Sequence, residues 1–116
     1  MGKQPDPDTQ NLARTCNETL ILSSLRNGEK HGYQLALDIE ERSGGYFRFN
    51  HGTLYPILHK LEKDGLIKGR WHPDSPGRKR KSYVLTTRGR AYFDRQREGW
   101  AEFIRRFTGF VEGVEP

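Results

Sequence analysis

The chain is poor in the residues on which disulfides, membrane spans and large cores depend. Its 116 residues include a single cysteine, Cys16, so an internal disulfide is excluded. No apolar run is long enough for a signal sequence or a membrane-spanning helix, which predicts a cytoplasmic protein. Only 33% of the residues are hydrophobic, and a core that small is often completed by association with a second chain.

Residues for catalysis and metal binding are equally sparse. The four histidines, His31, His51, His59 and His72, are not spaced as metal ligands are. No Ser-His-Asp set, paired carboxylates or glycine-rich phosphate loop is evident. We therefore expect no enzyme, metal or cofactor, and we interpret Cys16 as a small core residue.

Positive charge, by contrast, is concentrated in one segment. The whole chain carries a net charge of +5, yet the segment from Leu66 to Arg90 holds eight lysine and arginine residues against one aspartate. Four of these cations are consecutive, Arg78-Lys79-Arg80-Lys81. A basic patch on a nearly neutral body is typical of a polyanion site. Nucleic acid is the first candidate, and an anionic membrane surface is the second.

Apolar periodicity and turn residues predict four helices and one hairpin. Asn50 is suited to cap the third helix, although Pro56 favours a start nearer Thr53 because proline removes a backbone hydrogen bond. Tyr46–Phe49 is expected to be a short connector or a strand stub. The expected helices cover residues 11–27, 31–43, 50–64 and 88–112, and strands 66–72 and 79–86 flank the turn Pro73–Gly77.

This order of elements predicts a mainly α fold with a small β-hairpin. Three helices closed by a hairpin form the winged helix-turn-helix plan, in which the third helix reads DNA and the hairpin is the wing. The first and last helices are expected to serve dimerisation. We divide the chain into a disordered lead-in (residues 1–10), a DNA-binding domain (11–87) and a C-terminal dimerisation helix (88–116).

The third helix has the two faces that a recognition helix needs. Leu54, Ile57, Leu58 and Leu61 form a stripe for the core, which leaves its polar residues for the major groove. Tyr55 is open to a second interpretation, as a half-buried core residue. The candidate DNA-binding residues of the helices are Tyr33, His51, Gly52, Thr53, Tyr55, Pro56, His59, Lys60 and Lys63.

The basic run at the hairpin is expected to neutralise phosphates. Because side chains alternate along a strand, Lys79 and Lys81 should share one face and Arg78 and Arg80 the other. The plainer alternative is a hairpin kept soluble by its charge. The position of the run shortly after a helix with a polar outer face favours duplex DNA over RNA, membrane or acidic protein as partner.

Several motifs resemble the PadR family of bacterial transcriptional regulators. These are His31-Gly32-Tyr33-Gln34-Leu35, Gly52-Thr53-Leu54-Tyr55-Pro56, Leu61–Ile67, and Gly77–Tyr83 with Leu85-Thr86 and Gly89. The resemblance implies operator binding and repression, often relieved by a small molecule, with Thr53, Tyr55, Arg78 and Lys79 at matching positions. This chain has His51 where many members have proline. A single C-terminal helix is similar to that of the short subfamily, whose members are homodimers.

The last helix carries an apolar heptad repeat. Phe93, Trp100, Phe107 and Val114 are seven residues apart, and a stripe this apolar needs a partner helix. We expect a homodimer that buries roughly 1,500 Å² or more. Trp100 either packs this interface or walls a cavity for a planar ligand, as the resemblance implies for some short members. The residues of this interface or pocket are Phe93, Trp100, Phe103, Ile104, Phe107, Phe110 and Val111.

Together these features favour a homodimeric repressor that binds a palindromic operator in double-stranded DNA and is released by a small planar or phenolic-type ligand. The alternative is a winged-helix interaction module that binds an acidic protein or RNA without reading DNA sequence. A third hypothesis is a small-molecule carrier or enzyme accessory built on the aromatic dimer core.

Overall fold

The computed structural model describes residues 7–75 and 78–113, and the side chains of residues 12–73 and 80–113. Four helices and three short strands follow one another along the chain. Their bounds are α1 Pro7–Leu25, β1 Lys30–His31, α2 Gly32–Arg42, α3 His51–Lys63, β2 Ile67–Ser75, β3 Arg78–Leu85 and α4 Thr87–Glu112. The predicted mainly α winged helix-turn-helix fold is confirmed.

The sheet has three antiparallel strands rather than the two of the predicted hairpin. The strand order is β1-β3-β2, so the added strand β1 pairs with the inner strand of the wing, as we call the β2–β3 hairpin. In β1, His31 lies opposite Ser82, and within the wing Trp71 lies opposite Lys81. The wing is therefore anchored to the chain segment just before α2. The tip of the predicted turn, residues 76–77, lies outside the described residues.

Several predicted boundaries need correction. Helix α1 begins at Pro7 rather than residue 11 and ends at Leu25 rather than residue 27, so residues 7–10 of the expected lead-in are helical. Residues 1–6 of that lead-in lie outside the described part. The suggested later start of α3 is wrong: Asn50 caps a helix that begins at His51, and Pro56 lies inside it. The segment 46–49 forms no strand.

One hydrophobic core joins the helices to the sheet. The side chains of Ile21, Leu22 and Leu25 from α1 meet those of the other elements there. From the remaining elements the core contains Leu35, Ile39, Leu54, Leu58, Leu61, Leu66, Ile67, Tyr83 and Phe93. Because α3 contributes Leu54, Leu58 and Leu61, its orientation is fixed by the same core that holds the wing.

Helix α4 begins in the domain and then leaves it. The Thr86 hydroxyl accepts a hydrogen bond from the Gly89 amide at 2.9 Å, which caps the helix. Gly89 is buried against the backbone of Leu66, whereas Ala101 and every later described residue except the half-buried Gly109 is exposed. The second half of α4 therefore extends away from the core of its own chain.

Candidate nucleic-acid interface

Helix α3 turns a polar face to solvent. The Asn50 side chain accepts a hydrogen bond from the Thr53 amide at 2.9 Å, which fixes the first turn. The leucines of α3 are buried, while seven of the predicted DNA-binding residues are exposed. They are His51, Gly52, Thr53, Pro56, His59, Lys60 and Lys63. The exposed set suits a helix that enters a groove of DNA.

Tyr55 is half-buried and joins α3 to the start of α2. Its hydroxyl lies so close to Gly32 that a Cβ at that glycine would be only 2.5 Å away. The ring of His51 lies 5.6 Å from the Tyr55 ring, centroid to centroid. Tyr33, one residue beyond that glycine, is 65% exposed. The partial burial of Tyr55 agrees with its second interpretation as a half-buried core residue, and its contact with DNA stays a prediction.

One face of the wing points back toward α3. Lys81 donates to Glu62 at 2.9 Å, and its ammonium lies over the rings of Trp71 and Tyr83 at 5.4 and 5.5 Å. The Lys81 side chain is only 21% exposed, so its charge is paired in the protein alone. Burial, together with the nearby Glu62 carboxylate, raises the pKa of Tyr83 to about 12. The exposed Trp71 on this face was not predicted as a site residue.

The opposite face of the wing is tied to Glu29, which follows α1. Arg70 donates to the Glu29 carboxylate at 2.9 and 3.1 Å, Ser82 donates to the same carboxylate, and His72 lies 3.2 Å from it. His72 is also 2.7 Å from Ser82. The Ser82 hydroxyl, followed by His72 and Arg70, lowers the pKa of Glu29 to about 2. This network fixes the base of the wing, and nothing in the sequence pattern pointed to it.

A groove of about 680 Å³, which we call the wing groove, lies between the start of α2, α3 and the wing. It brings together four predicted site residues, Tyr33, Tyr55, Arg80 and Lys81. Arg80 is exposed. The side chains of Arg78 and Lys79 lie outside the described part, although the backbone of both belongs to β3. Two tyrosines beside cations are a suitable lining for a sugar-phosphate backbone.

Lys60 and Lys63 lie away from the wing groove. They line a separate pocket with residues of α1 and α4. Lys60 donates to Asp64 at 2.8 Å, and this bond raises the pKa of Lys60 and lowers that of Asp64. The predicted DNA-binding set is therefore divided between two flanks of α3.

The predicted apolar set of α4 is also divided. Phe93 is buried in the core of its own chain, with the guanidinium groups of Arg26 and Arg97 each 5.8 Å from its ring. Trp100 is half-buried and meets the Phe103 ring edge-on at 5.7 Å. Five residues form an exposed band, which we call the α4 stripe. They are Phe103, Ile104, Phe107, Phe110 and Val111. Val114 lies outside the described residues.

Three further features of the described residues concern metal ions, membranes and the cysteine thiol. Within it, no three His, Cys, Asp or Glu side chains are placed to hold a metal ion. None of its helices is long and apolar enough to cross a membrane. Cys16 is half-buried, and burial raises the pKa of its thiol.

Comparison with known proteins identifies the family. The model of the Transcriptional regulator PadR-like family matches residues 21–95. The transcriptional regulator Rv3488 of Mycobacterium tuberculosis is 35% identical over 89 residues, which are 77% of this chain and 79% of that protein. A transcriptional regulator from Clostridium thermocellum superposes with a TM-score of 0.79 at 28% identity, covering 87% of this chain and 98% of that one.

A solved complex with DNA is also similar. Bacillus subtilis PadR in complex with operator DNA superposes with a TM-score of 0.64 at 30% identity, over 68% of this chain and 45% of that one. The family match covers α2, α3 and the whole wing, which are the elements that build the candidate interface. The chain therefore belongs to the PadR-like family of transcriptional regulators and is not an enzyme.

Proposed function

We propose that this protein is a homodimeric repressor that binds a palindromic operator in double-stranded DNA. The observation that carries the proposal is the solvent face of α3, which has exposed polar residues from His51 to Lys63 and borders the wing groove at Tyr55. A rigid helix with this face fits the major groove of B-DNA. The proposed place of action is the cytoplasm, where a bacterial operator is accessible.

The elements have different parts in this proposal. Thr53 lies in the first turn of α3, where base edges are within reach, and selects the sequence. Tyr33, Arg80 and the neighbouring basic residues Arg78 and Lys79 contact phosphates and set the register without reading bases. Glu62 competes with DNA for Lys81, so this lysine contributes less affinity than a solvated one. The operator complex of Bacillus subtilis PadR supports the proposal, since that protein shares the fold of this part of the chain.

The exposed apolar residues of α4 support the proposal of a second copy. Phe107 is 58% exposed and Phe110 is 89% exposed in the single chain. A contiguous aromatic patch of this kind marks an interaction site. Packing it against the same helix of a second chain, together with the exposed Leu12 of α1, would bury roughly the area of a standard interface. We accordingly assign residues 11–87 to DNA binding and residues 88–116 to dimerisation.

A two-fold dimer explains why the operator should be palindromic. Each copy presents one α3 and one wing, and the symmetry of the protein is then matched by two half-sites on DNA. We further propose that a small planar or phenolic-type ligand binds at Trp100 and releases the dimer from the operator. The ring of Trp100 stands edge-on to that of Phe103. Two such tryptophans, one from each copy, would form the walls between which a flat ligand stacks.

The experiment is fluorescence anisotropy with labelled duplexes that tile the DNA around the protein's own gene. We expect one segment to bind far more tightly than the others, with affinity that falls steeply as salt rises. Weak binding that is equal for all duplexes would refute the proposal. If the protein is instead a module for an acidic protein or RNA, replacing Thr53 and Tyr55 with alanine should leave partner binding intact.

A further inference from the structure

The first turn of α3 offers few polar side chains for reading DNA. The side chain of Asn50 is occupied, since it accepts a hydrogen bond from the Thr53 amide at 2.9 Å. Gly52 has no side chain, and Leu54 is buried. His51 and Thr53 therefore remain as the exposed polar side chains of this turn. Thr53 is assigned to sequence choice in the proposed function, which leaves His51 without a role.

His51 is held in place by an aromatic contact. Its ring lies 5.6 Å from the Tyr55 ring, centroid to centroid, and the two planes are tilted by 39°. Tyr55 is itself fixed between α3 and α2, because its hydroxyl lies so close to Gly32 that a Cβ there would be only 2.5 Å away. A side chain that is ordered before binding loses less conformational freedom when DNA arrives. His51 is thus preorganised for a directional contact.

The ring nitrogens of His51 are available for a ligand. The residue is exposed, and its imidazole forms no ion pair or hydrogen bond among residues 12–73 and 80–113. An imidazole carries at least one N–H donor in both its neutral and its charged form. In the major groove guanine presents two adjacent acceptors, N7 and O6, whereas adenine places an amino donor beside its N7. A single N–H donor is therefore best satisfied by guanine.

His51 and Thr53 do not compete for the same base. Side chains two residues apart in a helix point about 200° apart around its axis. His51 lies on the flank of α3 that carries Tyr55 and borders the wing groove, whereas Thr53 lies on the other flank. The two side chains can therefore reach different base pairs within one half-site.

We propose that His51 is a specificity-determining residue of this protein, whose imidazole donates a hydrogen bond to N7 of a guanine in each half-site of the operator. The proposal rests on the proposed function, because it needs α3 in the major groove. It adds one base pair to the recognised sequence, independent of the base pair that Thr53 reads. The family resemblance implies proline at this position in many members. Proline has no such donor, so the preference would separate the operator of this chain from theirs.

The decisive variant is His51→Pro, which removes the imidazole and leaves the helix intact. Proline is favoured at the first position of a helix, where the backbone N–H has no partner within the helix. Asn50, the residue before it, has φ −89° and ψ 169°, which is the extended conformation that a residue before proline adopts. His51→Pro should therefore unfold at the same urea concentration as the wild type.

The test is competition anisotropy with a set of operators in which each base pair is replaced in turn by the other three. For the wild type, replacing the guanine read by His51 should weaken binding about fivefold, the factor that corresponds to one hydrogen bond. 7-Deazaguanine, which lacks N7, should weaken binding equally at that guanine. His51→Pro should bind all four base pairs at this position with equal affinity and should not distinguish 7-deazaguanine from guanine.

Two further variants separate base reading from a structural role. His51→Arg should keep the preference for guanine, because arginine donates to N7 and O6. His51→Gln should shift the preference to adenine, which glutamine pairs at N6 and N7. Thr53→Ala is the matched control, because it changes the same turn and should relax the preference at another base pair only.

The outcomes distinguish this proposal from the proposed function. The result that supports it is the loss of preference at one guanine alone in His51→Pro, with the remaining preferences retained. If His51→Pro keeps every base preference of the wild type, or loses all of them together, the role of His51 is refuted while the proposed function stands. A wild-type protein that prefers no duplex would overturn both.

Discussion

Replacing Phe107 with alanine should dissociate the dimer without unfolding the chain. Phe107 lies in the middle of the α4 stripe and is 58% exposed in the single chain. Its ring stacks on that of Phe103 with centroids 5.8 Å apart. Alanine is the best helix former, so the helix itself should tolerate the change. The substitution should therefore weaken the contact with the second copy rather than the helix.

The expected loss of dimerisation free energy follows from the exposed area of the Phe107 side chain. An aromatic side chain offers roughly 200 Å², so the exposed part of Phe107 amounts to about 115 Å². At about 25 cal/mol per Å² this is about 3 kcal/mol for each copy. A two-fold interface contains the change twice, and about 6 kcal/mol corresponds to a dimer dissociation constant raised about 10⁴-fold.

Sedimentation equilibrium over a wide range of concentrations measures this change directly. The wild-type protein should be a dimer at micromolar concentration and Phe107→Ala a monomer. Thr108→Ala is the matched control, because this neighbouring residue is exposed but lies outside the stripe. Circular dichroism should show that both variants keep their helix content. A Phe107→Ala protein that dimerises like the wild type would refute the assignment of the α4 stripe to the interface.

Three further changes test the domain itself. Gly89→Ala should destabilise the domain by more than about 2 kcal/mol in urea unfolding, because its Cβ would overlap the backbone carbonyl of Leu66. Gly99→Ala, in the same helix but with open space around it, should stabilise it by up to about 1 kcal/mol. Stability should also fall as the pH drops from 4.5 toward 2, since the folded protein lowers the pKa of Glu29 to about 2 and protonation removes what this carboxylate contributes. Glu29→Gln should flatten this part of the pH profile, and a profile identical to the wild type would contradict the role of the Glu29 network.

The elements that local sequence signals specify were predicted well. Asn50 at the start of α3 and Thr86 at the start of α4 have the side chains that cap helices, and both do so. The leucine stripe of α3 follows the helical period and is buried as expected. These features depend on neighbours along the chain, which is why periodicity and capping rules reach them.

The features that depend on distant partners were missed. Strand β1 has only two residues, Lys30 and His31, and exists because β3 offers it a pairing edge. The sequence analysis treated Lys81 as a phosphate-binding cation like the others of the wing. In the fold, Lys81 instead donates to Glu62, which is 19 residues away along the chain. Glu29 meets Arg70 across 41 residues. Such pairings are decided by the packing of whole elements, so a linear pattern does not contain them.

In the proposed function, α3 chooses the DNA sequence while the wing supplies affinity. The most direct measurement is the operator affinity of Thr53→Ala, relative to its affinity for a scrambled duplex, at several salt concentrations. We predict that the preference for the operator falls by about 1–3 kcal/mol, while the slope of affinity against salt is unchanged because no phosphate contact is lost. An unchanged preference in Thr53→Ala, or a wild-type protein that binds both duplexes equally, would contradict the claim.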